Sequence, residues 1–255
     1  ESLLRGVKPE AVVEIDGTGI PVVKKETQGR TGKVDGQPAH TREVKLGCVF
    51  TSVGVDKENR PVRDEASTTY TGAIETAGEF ARRIYREAFQ RGWPRARIKV
   101  ILGDGAPWIW NVAAEQFPGA ILIVDLYHAR EHLHKLAWLL FPNDDPARLA
   151  WTTLVVDLLD NGSIESLVSL LRSLGSERPA LANKLETEAD YFERNSDKMR
   201  YPKFRAQGLF VGSGVIEAGC KTVIGSRLKQ SGMFWTVEGA NRIIALRCCR
   251  ISGKF

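Results

Sequence analysis

Three carboxylates stand where their chemistry can be used. Asp16 closes the apolar run VVEID (12–16) and is followed at once by Gly-Thr-Gly. Asp104 closes RIKVILGD (97–104) and again precedes a glycine, while Glu217 sits in GSGVIEAGCK (212–221), a Gly- and Ala-rich helix start otherwise poor in acid. An acid beside a buried strand end is costly unless it is paired, hydrogen-bonded or bound to a metal. Hard cations such as Mg²⁺ take oxygen ligands, commonly one or two carboxylates completed by water and substrate phosphate. Two such ions about 3.5–4 Å apart can clamp the attacking and leaving oxygens of a phosphoryl displacement. Two strand-end aspartates and a facing glutamate suit that chemistry. Each acid taken singly also has a plainer reading, because Asp-Gly is a common turn dipeptide and acids cap turns and helices.

The elements that would carry these acids are legible from pattern. Residues 11–16 predict a buried strand ending at Asp16, and the polar, Gly-rich 24–43 a mobile basic loop or irregular hairpin. VKLGCVFTSVGV (44–55) has the β-branched content of a central strand, KENRPV (57–62) turns, and EASTTYTG (65–72) predicts a polar edge strand. Phe80, Ile84, Tyr85 and Phe89 recur with helical rhythm across 75–91, and Gly92 and Pro94 stop that helix. A strand over 97–104, a helix over 106–117 with Pro107 in its first turn, a strand over 119–125 and a helix over 126–141 follow. This alternation predicts an α/β layer. From about Pro142 to Met199 the pattern is Leu-rich and helical, which predicts an inserted helical subdomain. A helix begins near Ser213 and a last one spans 235–250.

The totals fit an ordinary globular protein: 255 residues, 43% hydrophobic and 26% charged. No apolar run reaches the 18 or more residues of a membrane span, and no signal peptide opens the chain. Because the first residue is Glu1, an upstream module is expected to be missing. Cys48, Cys220, Cys248 and Cys249 fit neither a metal knuckle nor a disulfide framework, so reduced thiols of a cytosolic protein are expected. The net charge of +5 is unevenly spread: residues 200–255 hold ten Lys or Arg against Glu217 and Glu238, a surplus of +8. The remainder carries 26 basic and 29 acidic residues, or −3. A basic field confined to the end of the chain suits a polyanion such as nucleic acid, although a solvated basic helix face gives the same count.

The order of these parts resembles the ribonuclease-H-like fold of DDE transposases, with Asp on the first strand, Asp after the fourth and Glu on a late helix. More closely, the chain resembles the catalytic region of insertion-sequence transposases of the ISKra4 family, relatives of the Mutator-type enzymes. The stretches that carry this are DGTGIPVVKKE (16–26), TREVKLGCVFT (41–51), STTYTGAIE (67–75), LGDGAPWIWN (102–111), FPGAILIVDLYHAREHL (117–133) and GSGVIEAGCKTVIGSRLKQSGMFWTVEGAN (212–241). They cover most of the chain outside the helical insertion. The resemblance implies a mixed sheet flanked by helices, with 1–141 and 201–255 as two parts of one catalytic domain and 142–200 as an all-helical insertion. It implies that Asp16, Asp104 and Glu217 bind Mg²⁺, which Mn²⁺ can replace, and that the bound metal activates water or a freed 3′-hydroxyl against a DNA phosphodiester. The expected partners are element terminal inverted repeats and target DNA, with a homodimer in the working complex and a bacterial, cytoplasmic, nucleoid-associated location. The DNA-binding region expected upstream in such a transposase is absent.

Further residues follow from the same reading. Asp125 and His128 form a DxxH pattern similar to one in Mutator-like transposases, and at i and i+3 they share a face if a helix starts at Asp125. That gives His128 a role at the scissile phosphate or on a metal-bound water; the alternative is an Asp N-cap beside a helix-face histidine. The run HAREHLH (128–134) invites a zinc reading, but no HExxH, CxxC or second ligand cluster completes it, so zinc is not expected. Lys221, Arg227, Lys229 and Arg242 are expected to neutralise DNA phosphates. Trp235 is expected either to stack on an extruded base or to anchor the last helix. Trp108 and Trp110 are read as packing, and Arg30 and Lys33 as DNA contacts on charge alone.

Two rival readings remain. EIDGT (14–18) and GDGAPWIWN (103–111) look like the acid motifs of haloacid-dehalogenase-type phosphatases, but the first acid, the nucleophile there, is Glu14 here. That reading leaves Glu217 and the basic C-terminal segment unexplained. The other rival is a catalytically inactive transposase relative that only binds DNA.

Overall fold

The computed structural model describes residues 10–32 and 38–254. Its strands are β1 (Glu10–Pro21), β2 (Thr41–Val55), β3 (Pro61–Arg63), β4 (Thr69–Ala73), β5 (Ile98–Gly103) and β6 (Ile121–Val124). They form one mixed sheet in the order β3-β2-β1-β5-β6, with β4 also paired to β2. β1 runs antiparallel to β2 from Ala11↔Thr51 to Pro21↔Thr41, and parallel to β5 from Glu10↔Ile98 to Ile15↔Gly103. Val12, Val13 and Ile15 of β1 and Val100, Ile101 and Leu102 of β5 are buried, as expected of central strands with a parallel neighbour.

One expectation needs correction here. β1 does not end at Asp16 but continues through Gly-Thr-Gly to Pro21. The two glycines serve the ladder rather than a turn: a Cβ at Gly17 would stand 2.7 Å from Glu43 Oε1, and one at Gly19 would stand 3.3 Å from Thr41 Oγ1. What ends near Asp16 is the parallel pairing with β5, not the strand. The segment read as one polar edge strand is also divided, into a 3₁₀ turn Glu65–Ser67 and β4. Of the early basic loop, Lys33 lies outside the described residues.

The chain divides into two compact units, residues 1–53, 62–121 and 213–255 in one, and residues 54–61 and 122–212 in the other. In the first unit, α1 (Ala77–Gln90) begins at a capping box in which Thr76 and Glu79 satisfy each other's backbone N–H groups. It buries Phe80 and Ile84 against Gly47 of β2, where a Cβ would lie 2.5 Å from Ile84 Cδ1. α2 (Pro107–Gln116) starts on Pro107 and lays Ile109 on Gly103. Gly47 and Gly103 both pair with Ile15, so α1 and α2 cover one face of the sheet. The opposite face, that of Glu14 and Cys48, is covered by helix α8 (Gly214–Gly219), which runs on through a π segment Cys220–Gly225 into α9 (Ser226–Leu228). α10 (Val237–Ile251) closes the same side: Asn241 exchanges two hydrogen bonds with the main chain of Ile74, and Ser252 Oγ accepts from the N–H of Tyr70.

The second unit is helical: α3 (Leu126–Leu140), α4 (Asp145–Asp160), α5 (Ile164–Glu177), α6 (Ala182–Arg194) and α7 (Tyr201–Ala206). The expected helical character of 142–199 is present as α4–α6. Buried Leu167, Leu171, Leu185 and Phe192 pack α5 on α6, and Tyr201 Oη reaches the carbonyl of Val124 at 3.2 Å. α7 was not predicted; Pro202 in its first turn and its six-residue length hide its period.

β1 opens on a buried acid. Burial pushes the Glu10 carboxyl up to about 7, against a smaller opposing hydrogen bond with Ser52, and its Oε1 has no hydrogen-bond partner among the described residues. In the unfolded chain a glutamate titrates near ~4.3. The folded state therefore holds the proton more tightly, and this group's contribution is full below about pH 4.3 and is lost as pH rises to about 7. Glu10→Gln is expected to remove that loss: from pH 5 to pH 8, unfolding free energy measured in urea should fall more for the wild type than for the variant, by at most about 3 kcal/mol. Parallel pH profiles would refute it.

Candidate functional site

The three acids named from the sequence all belong to the first unit. Because Ile15 of β1 pairs with Gly103 of β5, the next residues, Asp16 and Asp104, stand level on neighbouring strands about 4.8 Å apart. Each carboxylate is half-buried, and one oxygen of each is held by local main chain: Asp16 Oδ1 accepts from Gly17 N at 2.6 Å, Asp104 Oδ1 from Ala106 N at 2.8 Å. The latter bond shapes the turn through Gly105 (φ +94°) into α2, so the turn-cap reading of Asp104 is correct as far as it goes. It leaves the position beside Asp16 to be explained.

Helix α8 is fixed along β1 by two contacts. Glu14, fully buried, accepts the N–H of Ile216 at 2.8 Å, and Asp16 Oδ2 lies 3.3 Å from Cys220 Sγ. Two residues of strand cover about 6.6 Å and four residues of helix about 6 Å, so both contacts form only if the helix runs nearly along the strand. The thiol is the donor: burial, then the Asp16 charge and its hydrogen bond, push Cys220 well above the usual thiol range. Gly219 permits the close approach, since a Cβ there would stand 2.4 Å from Tyr70 Cε1 and within 3.4 Å of Leu46.

That packing also fixes where Glu217 points. At about 100° per residue, Glu217 is about 160° around the helix from Gly219. Gly219 leans toward β2 and β4, so exposed Glu217 is turned to the side of β5, where Asp104 stands. Among the described residues no group of three His, Cys, Asp or Glu side chains stands close enough to hold a metal ion, so the three acids do not converge into a metal cluster. By type alone, carboxylates suit a hard divalent cation.

The predicted basic residues divide into free and committed groups. Lys221 and Arg227 are exposed on the helix that carries Glu217. Lys229 is exposed and donates to Thr18 Oγ1 at 2.5 Å, two residues from Asp16 on β1. Arg242 pairs with Glu238 at 2.5 Å on α10, and both are exposed. Half-buried Trp235 is built into the main chain: it bridges Val22 in parallel, and its indole N–H donates to the Leu228 carbonyl at 3.2 Å. This fits the anchoring reading. Trp108 packs on Phe80 and carries Lys45 over its ring, as a packing residue should. Arg30 lines a cavity of about 490 Å³ with Arg42, Lys45, Glu43 and Glu75.

His128 lies in the second unit, on α3. Asp125 is the N-cap of that helix, accepting from Tyr127 N at 2.8 Å, which is the plain reading of the DxxH pattern. The His128 ring faces His132, with Nε2 atoms 3.3 Å apart.

Sequence reasoning missed three contributors. Arg247 of α10 donates to the carbonyls of Val223 and Thr222 and to Ser226 Oγ, gathering groups that the π segment leaves exposed. Cys220 was read only as a thiol. For Glu14, strand alternation gives only that it points the same way as Asp16; its burial and its bond to Ile216 oppose the role of nucleophile and make it the anchor of α8. Glu14→Leu, which strands the Ile216 N–H, is expected to cost about 1–3 kcal/mol in a denaturant melt, whereas Glu14→Gln keeps an acceptor and should cost clearly less. Equal losses would mean that Glu14 matters only as volume.

No known family profile matches the chain, and no characterised protein matches it in sequence. Among solved structures it is similar to the Drosophila P element transposase strand transfer complex, at 11% identity and a TM-score of 0.30, over 97% of this chain and 65% of that one. The chain thus spans just under two thirds of that structure's length.

Proposed function

We propose that this chain is the catalytic region of a DDE transposase of the ISKra4 type, with a ribonuclease-H-like sheet, cutting and joining DNA phosphodiesters at element ends. The observation that carries this reading is the Ile15↔Gly103 register, which sets Asp16 and Asp104 side by side with the Glu217 helix lying along β1. The strand count agrees once β3 and β4, which both pair with β2, are taken as one position: the second aspartate then follows the fourth strand along the sheet. On this reading residues 142–200 are a helical insertion in the catalytic domain, and DNA, a partner copy and the terminal repeats are what the region works with.

Asp16, Asp104 and Glu217 would hold Mg²⁺ or Mn²⁺, which when bound supplies a Lewis acid for attack by water or a 3′-hydroxyl on phosphorus. The chain's own part is positional. Asp16 lies within β1 and Asp104 just past β5, each with one oxygen held by main chain; Asp16 Oδ2 takes the Cys220 thiol, whose place a metal ion would take, and Glu217 is carried by α8. Lys221 and Arg227 offer exposed charge for the DNA backbone on the same helix, and Lys229 offers a third cation within reach of the β1 end.

Two expected outcomes test this. Asp16→Asn, Asp104→Asn and Glu217→Gln should each lower Mn²⁺-dependent cleavage of element-end DNA by more than about 100-fold, exceeding the 10–100-fold typical of losing an outer-shell partner. Intact binding with no cleavage by the wild type would favour the inactive relative, and hydrolysis of p-nitrophenyl phosphate the phosphatase. Lys221→Ala and Arg227→Ala should weaken duplex binding at all sequences alike, and each should reduce the slope of log K against log salt by about 0.9. An unchanged slope would remove these residues from the interface.

A further inference from the structure

α3 presents His128 and His132 one turn apart, and their rings meet edge to face with centroids 5.0 Å apart. Their Nε2 atoms stand 3.3 Å from each other. The far side of His132 is fixed from α6: Nδ1 lies 2.7 Å from Glu188 Oε2, and the ring stacks on Tyr191 at 4.3 Å with 9° between planes. Glu188 is almost fully buried and takes Lys184 Nζ on its other oxygen at 2.5 Å. With Nδ1 held by the Glu188 carboxylate, a neutral His132 carries its proton on Nδ1 and has its Nε2 lone pair on the side of His128.

Two imidazole nitrogens bound to one tetrahedral zinc at about 2.0–2.1 Å stand about 3.3–3.4 Å apart, which is the separation found here. A carboxylate on the second nitrogen is the usual outer support of a metal-bound histidine. Both rings remain partly open to solvent. We propose that His128 Nε2 and His132 Nε2 form a binding site for a transition-metal dication of the zinc type, completed by water or an external ligand, with Glu188 as the positioning residue for His132.

The site differs in kind from the carboxylate site. Imidazole selects zinc, cobalt, nickel or copper, whereas carboxylates suit magnesium and manganese. With two protein ligands it is an open site, able to take an exogenous oxygen or phosphate, rather than a closed structural one. It does not rest on the transposase reading, since all its residues lie in the second unit. It departs from the expectation that HAREHLH binds no zinc, because the carboxylate that positions His132 comes from α6, 56 residues beyond it.

The test is titration of the full chain with Co²⁺, read by its visible absorption, followed by displacement with Zn²⁺. The background carries Asp16→Asn, Asp104→Asn and Glu217→Gln, so that the carboxylates contribute nothing. One equivalent of bound metal is expected. His128→Gln and His132→Gln should each weaken binding at least tenfold, and Glu188→Gln about 10–100-fold, with thermal melts in chelator showing that each variant folds. His128→Gln, the more exposed change, is decisive if His132→Gln does not fold. Absence of binding, or binding that survives His128→Gln, overturns the site. Binding unaffected by Glu188→Gln overturns the role given to that residue.

Discussion

The candidate site depends on one constraint: a helix held along β1 by a buried carboxylate. Glu14 has no exposure, and its bond to the Ile216 N–H satisfies an orphan donor of a helix start. Once Ile216 is pinned there, the rise per residue of helix and strand brings Cys220 onto Asp16, and the close approach allowed by Gly219 sets the helix's rotation. Rotation in turn sets Glu217 away from the side that Gly219 presents to β2 and β4. The placing of the Glu217 helix therefore follows from a carboxylate that solvent does not reach.

The opposite face of the sheet does complementary work. Gly47 and Gly103 leave room for Ile84 and Ile109, so α1 and α2 sit close on β2 and β5. The parallel ladder of β1 with β5 sets the register, and the two thin positions let helices cover it closely.

Much of this was legible in the residues. The strands 44–55 and 97–104 and the helices 75–91 and 106–117 follow from period and β-branched content. What could not be read was whatever depends on partners distant in sequence. Gly17 and Gly19 look like a turn, but the long antiparallel ladder with β2 overrides local preference and keeps them extended. The π segment Cys220–Gly225 has no local signature, and the Arg247 that donates to its Thr222 and Val223 carbonyls comes from another helix. Glu188 completes the pair of histidines from another helix, out of reach of any spacing rule.

The contrast between β1 and the helix over it has a mechanical consequence. Asp16 lies inside a strand paired on its β2 side as far as Pro21, so it cannot shift without shearing the ladder. Glu217 rides a short α-helical stretch that gives way within three residues to the wider, looser winding of a π segment. Asp16 is therefore held as firmly as the ladder, and Glu217 as firmly as the contacts of Ile216 and Cys220 on either side of it.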